Sequence, residues 1–360
     1  MKTKKQNMRK FLISCVITVV VVIVAAGSAF LVLRNVIQPP NTPDYVYVRL
    51  PVEPSNPNPG QNTSNTNNSE NNENTNDNPE PEYTEVRMYR RPDFFTFLIY
   101  GLDEGFRADT IMVAAFDAVN QSAYLISIPR DTRIDVNRPV GQRKILGSYA
   151  WGRMHGRGHA GGVEYLKNEV QNLVGFRPDF YVSVDYNAFI RLVDAIGGVQ
   201  INVPFHMRNT DIYQDLFIDI PAGLQTLDGY QTLNFVRFRE SDEGFQSITD
   251  FQRMRNQQLV IDTIVRDLLS PRSIFRIPEL VRIYRQHVQT NLSDGEIAWL
   301  VAQTTNLSND LLSTYTLPID RVERNGWYEM PDQEAILELI NRTVNPFTTD
   351  ITADFLHIVQ

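Results

Sequence analysis

The chain has a single cysteine in 360 residues, Cys15, and only five histidines. One cysteine excludes an internal disulfide framework and any zinc site built on cysteines. Basic residues are also in the minority, because 34 lysines and arginines face 42 aspartates and glutamates, giving a formal net charge of −8. Phosphate neutralisation along a nucleic acid needs a clustered surplus of Lys and Arg. The balance therefore argues against a nucleic-acid-binding protein.

The longest uncharged stretch lies near the N-terminus, at residues 11–33. Its 23 residues are enough to span a bilayer. Five basic residues precede it: Lys2, Lys4, Lys5, Arg9 and Lys10. The positive-inside rule then predicts a single-pass protein of the cell membrane, with residues 1–10 cytoplasmic and the remainder extracellular. A cleaved signal peptide is the alternative, since Gly27-Ser28-Ala29 resembles a cleavage site, but the run exceeds a usual h-region of about 7–15 residues.

Residues 34–84 predict a disordered Asn/Pro-rich linker. Between residues 55 and 82 there is no hydrophobic side chain, and eleven positions are Asn. Such a segment cannot bury enough apolar surface to offset the entropy lost on ordering. We therefore place the folded domain at residues 85–360.

Within that domain, hydrophobic periodicity alternates between strand and helix. Short apolar runs predict strands at 94–100, 110–116, 123–128, 180–184, 199–203 and 313–317, with a hairpin near 212–220. Longer amphipathic stretches predict helices at 162–174, 186–196, 229–236, 249–269, 274–285, 294–307 and 332–341. The pattern predicts an α/β fold with a mixed central sheet flanked by helices, in which sites lie where strand ends meet loops.

Two carboxylates stand near adjacent predicted strand ends. Asp103 follows the first strand, and Arg107 and Asp109 open the second. Carboxylate oxygens in that position suit Mg²⁺, which takes one or two protein carboxylates and completes its shell with phosphate and water. The alternative is structural: one Asp in a turn and one capping a strand.

Arginines recur at other predicted element ends. Arg130 follows the third strand, while Arg237 and Arg239 stand two residues apart, so an extended segment would place both on one face. Arginine's fixed fork of donors suits bidentate phosphate binding, and a diphosphate offers oxygens for several such forks.

The helix predicted at 249–269 presents Asp250, Arg253 and Gln257 on one face. Taken singly, an Asp250–Arg253 pair is more often a solvated helix pair than a site. Another stripe is apolar and predicts the core-facing side: Met254, Ile261, Ile264 and Leu268.

In their order, these segments resemble the LytR-CpsA-Psr family over residues 94–265. The motifs that carry the resemblance are Gly101-Leu102-Asp103, Arg107-Ala108-Asp109-Thr110, Ser127-Ile128-Pro129-Arg130-Asp131-Thr132, Leu192-Val193-Asp194-Ala195-Ile196-Gly197-Gly198-Val199, Leu227-Asp228-Gly229, Val236-Arg237-Phe238-Arg239 and residues 250–258. The resemblance implies a membrane-anchored phosphotransferase. Such an enzyme moves a glycopolymer, such as wall teichoic acid or capsular polysaccharide, from an undecaprenyl-diphosphate carrier to peptidoglycan.

The resemblance also assigns roles to residues. It implies Asp103 and Asp109 as ligands of Mg²⁺, or of Mn²⁺, and Gln257 as a neutral donor. Asp250 would orient Arg253 or help deprotonate the attacking hydroxyl. The side chains implied to grip the diphosphate are Arg107, Arg130, Arg237, Arg239 and Arg253.

Some features depart from the family pattern or leave alternatives open. Many relatives carry Arg-Gln where this chain has Asn256-Gln257. A polyprenyl-diphosphate hydrolase could use the same side chains, and a non-catalytic envelope regulatory or binding protein is a second alternative. His155 and His159 fit a Gly-rich loop better than a metal site, and residues 144–162 fit a mobile flap.

Overall fold

The computed structural model describes residues 37–51, 83–103, 106–211, 216–242, 244, 246–269, 277–304 and 312–359. The predicted span at residues 11–33 and the Asn-rich stretch at 55–82 lie outside these ranges. Within the described ranges, no helix is both long and apolar enough to cross a membrane.

The strands follow the chain in this order: β1 (Tyr45–Pro51), β2 (Tyr83–Tyr89), β3 (Phe94–Leu102), β4 (Ala108–Asp117), β5 (Ser122–Ile128), β6 (Phe180–Asp185), β7 (Val199–Val203), β8 (Met207–Asp211), β9 (Leu216–Ile220), β10 (Gly223–Leu227), β11 (Val288–Thr290), β12 (Leu312–Thr316), β13 (Ile319–Glu323) and β14 (Tyr328–Pro331). The α-helices are α1 (Ser148–His155), α2 (His159–Val174), α3 (Tyr186–Ala195), α4 (Gly229–Arg237), α5 (Asp250–Leu269), α6 (Ile277–His287), α7 (Asp294–Thr304) and α8 (Gln333–Arg342).

Six strands form the central sheet, in the order β11-β6-β3-β4-β5-β12. Strands β3, β4 and β5 are antiparallel neighbours, whereas β6 runs parallel to β3 and β12 runs parallel to β5. The sheet is therefore mixed, and helices flank it, as the sequence predicted.

Alternation along β3 divides the two faces of the sheet. Phe94, Leu98 and Tyr100 point to one face, where they join a core with α1, α2 and α8. Phe95 and Phe97 point to the other face, where Phe95 packs edge-on against Trp299 of α7 at 5.5 Å between ring centroids. Further along this second face, a separate core joins α3, α4 and α5 to β7–β10, and the space between that core and the sheet becomes the candidate site.

The strands predicted at 94–100, 110–116, 123–128, 180–184, 199–203 and 313–317 are confirmed within two residues at each end. The linker prediction was wrong at residues 45–51, which form β1 and pair antiparallel with β2. Val46, Val48 and Leu50 alternate along β1 and pack against the main core, which compensates the entropy of ordering. The segment at residues 144–162, interpreted as a flap, contains α1 and the first residues of α2.

Lys167 of α2 is 8% exposed, and its Nζ donates a hydrogen bond to the Asp179 carbonyl at 3.1 Å. Burial, reinforced by the charge of Arg177, lowers its pKa to about 8. Between pH 8 and the ordinary value of about 10.5 the unfolded chain binds a proton that the folded chain does not, so stability rises with pH across that window.

Replacing Lys167 with Met should raise the free energy of unfolding at pH 7 by about 1–2 kcal/mol, because a buried charge is removed. Urea denaturation at pH 7 and at pH 10 measures the effect. The gain should shrink at pH 10, where folded Lys167 is already neutral. Gln171→Met on the same helix is the control, since it removes no charge. Equal gains at both pH values would contradict the assignment.

Candidate active site

A closed turn places Asp103 and Arg107 directly after β3. The Asp103 N–H donates to the Arg107 carbonyl at 3.0 Å, and the Arg107 N–H donates to Asp103 Oδ1 at 2.8 Å. The Arg107 guanidinium also contacts the Asp103 carboxylate, because its Nε donates to Asp103 Oδ2 at 2.7 Å. These hydrogen bonds and the charge of Asp103 raise the pKa of Arg107. The Asp103 side chain is 9% exposed, and Arg107 remains 62% exposed above it.

A β-bulge places Asp109 in the same region. Gly101 pairs with Thr110 and Leu102 pairs with Ala108, so Asp109 is the extra residue of β4. A bulge re-aims side chains that strict alternation would separate. Asp109 and Thr110, although consecutive, accordingly both line the cavity described below.

The segment after β5 carries the next cation. A turn closes from Thr132 N–H to the Pro129 carbonyl at 3.0 Å, and it directs Arg130 towards β4. Arg130 Nη1 donates to Asp109 Oδ1 at 2.9 Å, while its buried Nε lies 4.0 Å from Asp131 and has no hydrogen-bond partner among the described residues. Lys144 Nζ lies 3.0 Å from Oδ1 of Asp131, whereas Arg130 Nε is nearest to Oδ2.

Helix α4 delivers Arg237 at its C-terminal end. The N-terminus of α4 is fixed by a capping box between Asp228 and Gln231. It is also fixed by a hydrogen bond that Gly229 N–H donates to the Asp194 carboxylate. The Arg237 guanidinium lies 4.9 Å from the ring centroid of Tyr186, a cation–π distance.

Helix α5 supplies Arg253 and Gln257. Its register on the sheet is held by Gln258, whose Nε2 lies 3.1 Å from the Tyr315 carbonyl and 3.3 Å from Ser127 Oγ. Arg253 is buried, with 8% exposure. Asp250 is the first residue of α5, and its side chain lies outside the part of the chain that the structure describes.

These side chains converge on one cavity of about 1110 Å³ between the sheet and helices α3, α4 and α5. The predicted site residues on its wall are Asp103, Arg107, Asp109, Arg130, Arg237, Arg239, Arg253 and Gln257. The rest of the wall combines apolar side chains with further polar ones. The apolar ones include Ile99, Met112, Leu125, Phe189, Leu192, Leu216, Val260 and Ile261, and the polar ones include Asp131, Lys144, Asp185, Asn209, Asp211 and Glu240. The α5 stripe predicted to face the core therefore has a second role, because Ile261 and Ile264 line the cavity.

The LytR_cpsA_psr family model matches residues 60–345. The chain belongs to the LytR-CpsA-Psr family. The resemblance drawn from the motifs is thereby confirmed.

Among its relatives, the regulatory protein MsrR of Staphylococcus aureus strain COL is 30% identical over 208 residues. That match covers 56% of this chain and 58% of MsrR, so the chain spans a little over half the length of that relative. The polyisoprenyl-teichoic acid–peptidoglycan teichoic acid transferase TagV of Bacillus subtilis is 25% identical, covering 72% of this chain and 65% of TagV.

Solved structures agree on the fold. The crystal structure of B. subtilis TagV matches with a TM-score of 0.56 at 22% identity, covering 70% of this chain and 96% of that one. A structure of TagT bound to LI-WTA matches with a TM-score of 0.54 at 21% identity, covering 72% and 92%.

Two of the LytR-CpsA-Psr motifs serve the scaffold. Asp194 and Gly229 join the 192–199 and 227–229 motifs through their 2.8 Å hydrogen bond, which holds α4 against α3. A Cβ on Gly229 would overlap the Ile190 carbonyl oxygen. These motifs position Arg237 without lining the charged end of the site themselves.

Further polar residues line these cavities outside the predicted site set. Lys144, in the segment interpreted as a flap, lines the large cavity beside Asp131, as do Asp185, Asn209 and Asp211. Glu329 lines a small adjoining cavity and comes from β14, a strand that no periodicity predicted.

The loop interpretation of His155 and His159 was wrong, because His155 ends α1 and His159 begins α2. The two ring nitrogens of His159 lie 2.8 Å and 3.2 Å from the hydroxyls of Tyr149 and Tyr181.

The donor set fits a divalent metal that shares its shell with substrate. Within the described ranges, no three His, Cys, Asp or Glu side chains cluster as a protein-only metal site. Asp103 and Asp109 nevertheless both line the cavity, and Asp109 uses Oδ1 alone for Arg130. Two carboxylates with phosphate and water complete the octahedron that Mg²⁺ prefers.

Proposed function

We propose that this chain is a membrane-anchored, extracellular phosphotransferase. It would transfer the phosphate-linked glycopolymer, such as wall teichoic acid or capsular polysaccharide, from an undecaprenyl-diphosphate carrier to a hydroxyl of peptidoglycan, with undecaprenyl phosphate as the leaving group. The observation that carries the proposal is the convergence of five arginines and two aspartates on the wall of one large cavity that also offers apolar surface. The names of the relatives TagV and TagU, both teichoic acid transferases, support it, as does the uncharged segment at residues 11–33 for the membrane anchor.

The cavity wall offers both apolar surface and arginines, and this combination suits a polyprenyl diphosphate. An isoprenoid tail gains free energy wherever it removes apolar surface from water, at about 25 cal/mol per Å². Phe189, Val260 and Ile261 offer such surface. The charged diphosphate would remain at the end occupied by Arg107, Arg130 and Arg237.

Arg107 and Arg130 are already paired with carboxylates, and they can bind a ligand if they exchange these carboxylates for phosphate oxygens. Arg130 holds Asp109 through Nη1, and its Nε still has a hydrogen bond to give. With a diphosphate and a divalent cation bound together, the guanidiniums would be available to phosphate oxygens, and the carboxylates of Asp103 and Asp109 would hold the cation. Opposite charges then enter the site together, so that no buried charge is left uncompensated.

Asp103 and Asp109 would hold Mg²⁺, or Mn²⁺. The metal would neutralise phosphate oxygens and polarise the phosphorus. Phosphoryl transfer needs mainly positioning and charge stabilisation, so this chain needs no covalent nucleophile. Arg107, Arg130, Arg237, Arg239 and Arg253 would orient the diphosphate, with Gln257 as a neutral donor. Asp250 stays a candidate for orienting Arg253 or accepting the proton of the acceptor hydroxyl.

The decisive experiment incubates the purified full-length chain with a synthetic polyprenyl-diphosphate-linked glycan, Mg²⁺ and peptidoglycan oligomers. We expect attached glycan that depends on both acceptor and metal. Release of polyprenyl phosphate without acceptor, and without attached product, would favour a hydrolase. Binding without turnover would favour the regulatory or binding protein that the name of MsrR suggests.

Replacing Arg130 or Arg237 with Met should weaken polyprenyl-diphosphate binding about 10-fold and lower turnover further, because each removes a charge-assisted contact worth roughly 1.5–3 kcal/mol. Calorimetric titration and the transfer assay measure the two effects. Arg177→Met is the matched control, since Arg177 pairs with Glu164 at 2.6 Å outside the cavity. Unchanged binding in both site variants would contradict the diphosphate assignment.

A further inference from the structure

We propose that Phe106 is a positioning residue of the active site. The guanidinium of Arg153 holds its ring, and this Phe106–Arg153 clamp keeps the turn between Asp103 and Arg107 in the shape that presents the Asp103 carboxylate. The catalytic consequence of the inference rests on the proposed function, whereas the clamp itself rests on the structure alone.

The backbone of Phe106 has an unusual conformation. Its φ of 59° lies in the left-handed region, which a bulky side chain enters only at a cost in free energy. Glycine would adopt the same conformation without that cost. Residues held in such conformations concentrate at functional sites, where the surrounding contacts over-determine them. A contact made by the phenyl ring is therefore expected to offset the cost.

That contact comes from Arg153 of α1. Its guanidinium carbon lies 4.1 Å from the centroid of the Phe106 ring, inside the limit of about 6 Å for a cation–π interaction. The ring stays 43% exposed, so burial in the core does not explain why an aromatic residue occupies this position. The positive charge over the face of the ring does.

Arg153 projects from a firmly packed helix. Tyr149, one turn earlier in α1, is 2% exposed, and its hydroxyl lies 2.8 Å from His159 Nδ1 at the start of α2. A Cβ on Gly152 would come within 2.5 Å of the Gly161 carbonyl oxygen, so the two helices approach each other closely. The base of Arg153 is therefore fixed relative to the core, as a positioning contact requires.

Phe106 is joined to Asp103 through the backbone. The Phe106 N–H donates to the Asp103 carbonyl at 3.0 Å, and the next residue, Arg107, donates its N–H to Asp103 Oδ1 at 2.8 Å. The orientation of the Asp103 carboxylate thus depends on the direction of the backbone at Phe106. Without the clamp, residue 106 would leave the left-handed region more readily, and the hydrogen bonds that orient the carboxylate would weaken.

Location separates a positioning role from direct contact with substrate. Asp103 and Arg107 line the large cavity, whereas neither Phe106 nor Arg153 is among the described residues on its wall. In the proposed function the Asp103 carboxylate holds the divalent cation. The clamp therefore acts on a metal ligand through the turn and does not touch the diphosphate itself.

A double-mutant cycle on the full-length chain tests the clamp by metal binding, without any turnover. Phe106→Leu keeps an apolar side chain but removes the aromatic face, and Arg153→Met removes the charge. With inorganic pyrophosphate present, each variant should raise the Kd for Mn²⁺, measured by electron paramagnetic resonance, about threefold. The double variant should raise it no further, because both changes break the same contact. Multiplied effects would overturn the clamp.

Two further variants separate the clamp from changes in charge and in packing. Phe106→Tyr keeps an aromatic face for Arg153, so its Kd for Mn²⁺ should stay within about twofold of the wild type. Arg157→Met removes an exposed charge from the turn between α1 and α2 and should leave the Kd unchanged. A Tyr variant as weak as Phe106→Leu, or equal losses in the two Arg variants, would contradict the clamp.

Turnover then tests the positioning. In variants shown to be folded by circular dichroism, Phe106→Leu and Arg153→Met should each lower kcat about fivefold, because a displaced carboxylate no longer holds the metal at the reacting group. The KM for the peptidoglycan acceptor should stay within about twofold, since the clamp does not line the cavity. An unchanged kcat in both variants would overturn the positioning role.

The outcomes distinguish this inference from the proposed function. If the wild-type chain binds Mn²⁺ but catalyses no transfer, the proposed function fails, while the Mn²⁺ cycle still reports on the clamp. If it transfers glycan and all variants bind Mn²⁺ equally, the clamp fails and the proposed function stands. A wild-type chain that binds no Mn²⁺ would overturn the positioning role together with the metal assignment.

Discussion

Glycan transfer should fall about 10³-fold when Asp109 is replaced with Asn. The substitution keeps the size of the side chain but removes the negative charge that holds Arg130 Nη1 at 2.9 Å and that would hold a divalent cation. A preorganised electrostatic contact at a reacting centre is worth about 10²–10³ in rate, and here one change affects two contacts. The transfer assay at saturating glycan and Mg²⁺ measures the loss.

Asp219→Asn serves as the control, because Asp219 is a 74% exposed carboxylate that faces His206 outside the cavity. The folded state of each variant is checked by circular dichroism. Raising Mg²⁺ should not restore Asp109→Asn, since the carboxylate itself is missing. Transfer above one tenth of the wild-type rate would refute the role given to Asp109.

Gly229→Ala should destabilise the domain by about 3 kcal/mol, the upper range for overpacking a tight contact. The added Cβ overlaps the Ile190 carbonyl oxygen, which is backbone and cannot rotate away. To relieve the overlap, α4 must move away from α3, and Arg237 moves with it. Urea denaturation should therefore show a lower midpoint, and diphosphate binding should weaken as well.

Gly101→Ala is the matched control for this stability measurement. A Cβ on Gly101 would meet Thr110 Cβ at 3.5 Å, an ordinary van der Waals distance. Its stability should stay within about 0.5–1 kcal/mol of the wild type. Equal losses from the two substitutions would show that contact between α3 and α4 is not what Gly229 protects.

Local pattern was enough to predict the α/β alternation, because each buried strand and each amphipathic helix carries its own periodicity. The local pattern also predicted that charged residues would lie close together. Asp103, Asp109 and Arg130 all stand near strand ends, and all three line the same cavity. The convergence of Arg237, Arg253 and Gln257 on the same cavity agreed with the motif order.

Other features depend on contacts that no local pattern records. The bulge at Asp109 is a property of the pairing between β3 and β4, not of either strand alone. Lys144 and Glu329 reach the site through tertiary packing at long sequence separation. Ile261 lines a cavity although its spacing equals that of a core residue, because periodicity reports burial and not what occupies the space.

The long separation between Arg130 and its supporting strands affects when the site can exist during synthesis. β12 completes the sheet beside β5, and β14 bonds to Asp131 and Arg133 about 200 residues after they leave the ribosome. At about 5–20 residues per second, the Arg130 segment waits roughly 10–40 s for these partners. A nascent or truncated chain therefore contains Arg130 before the site around it is assembled. The chain can bind substrate there only after β12 and β14 have been synthesised and have paired.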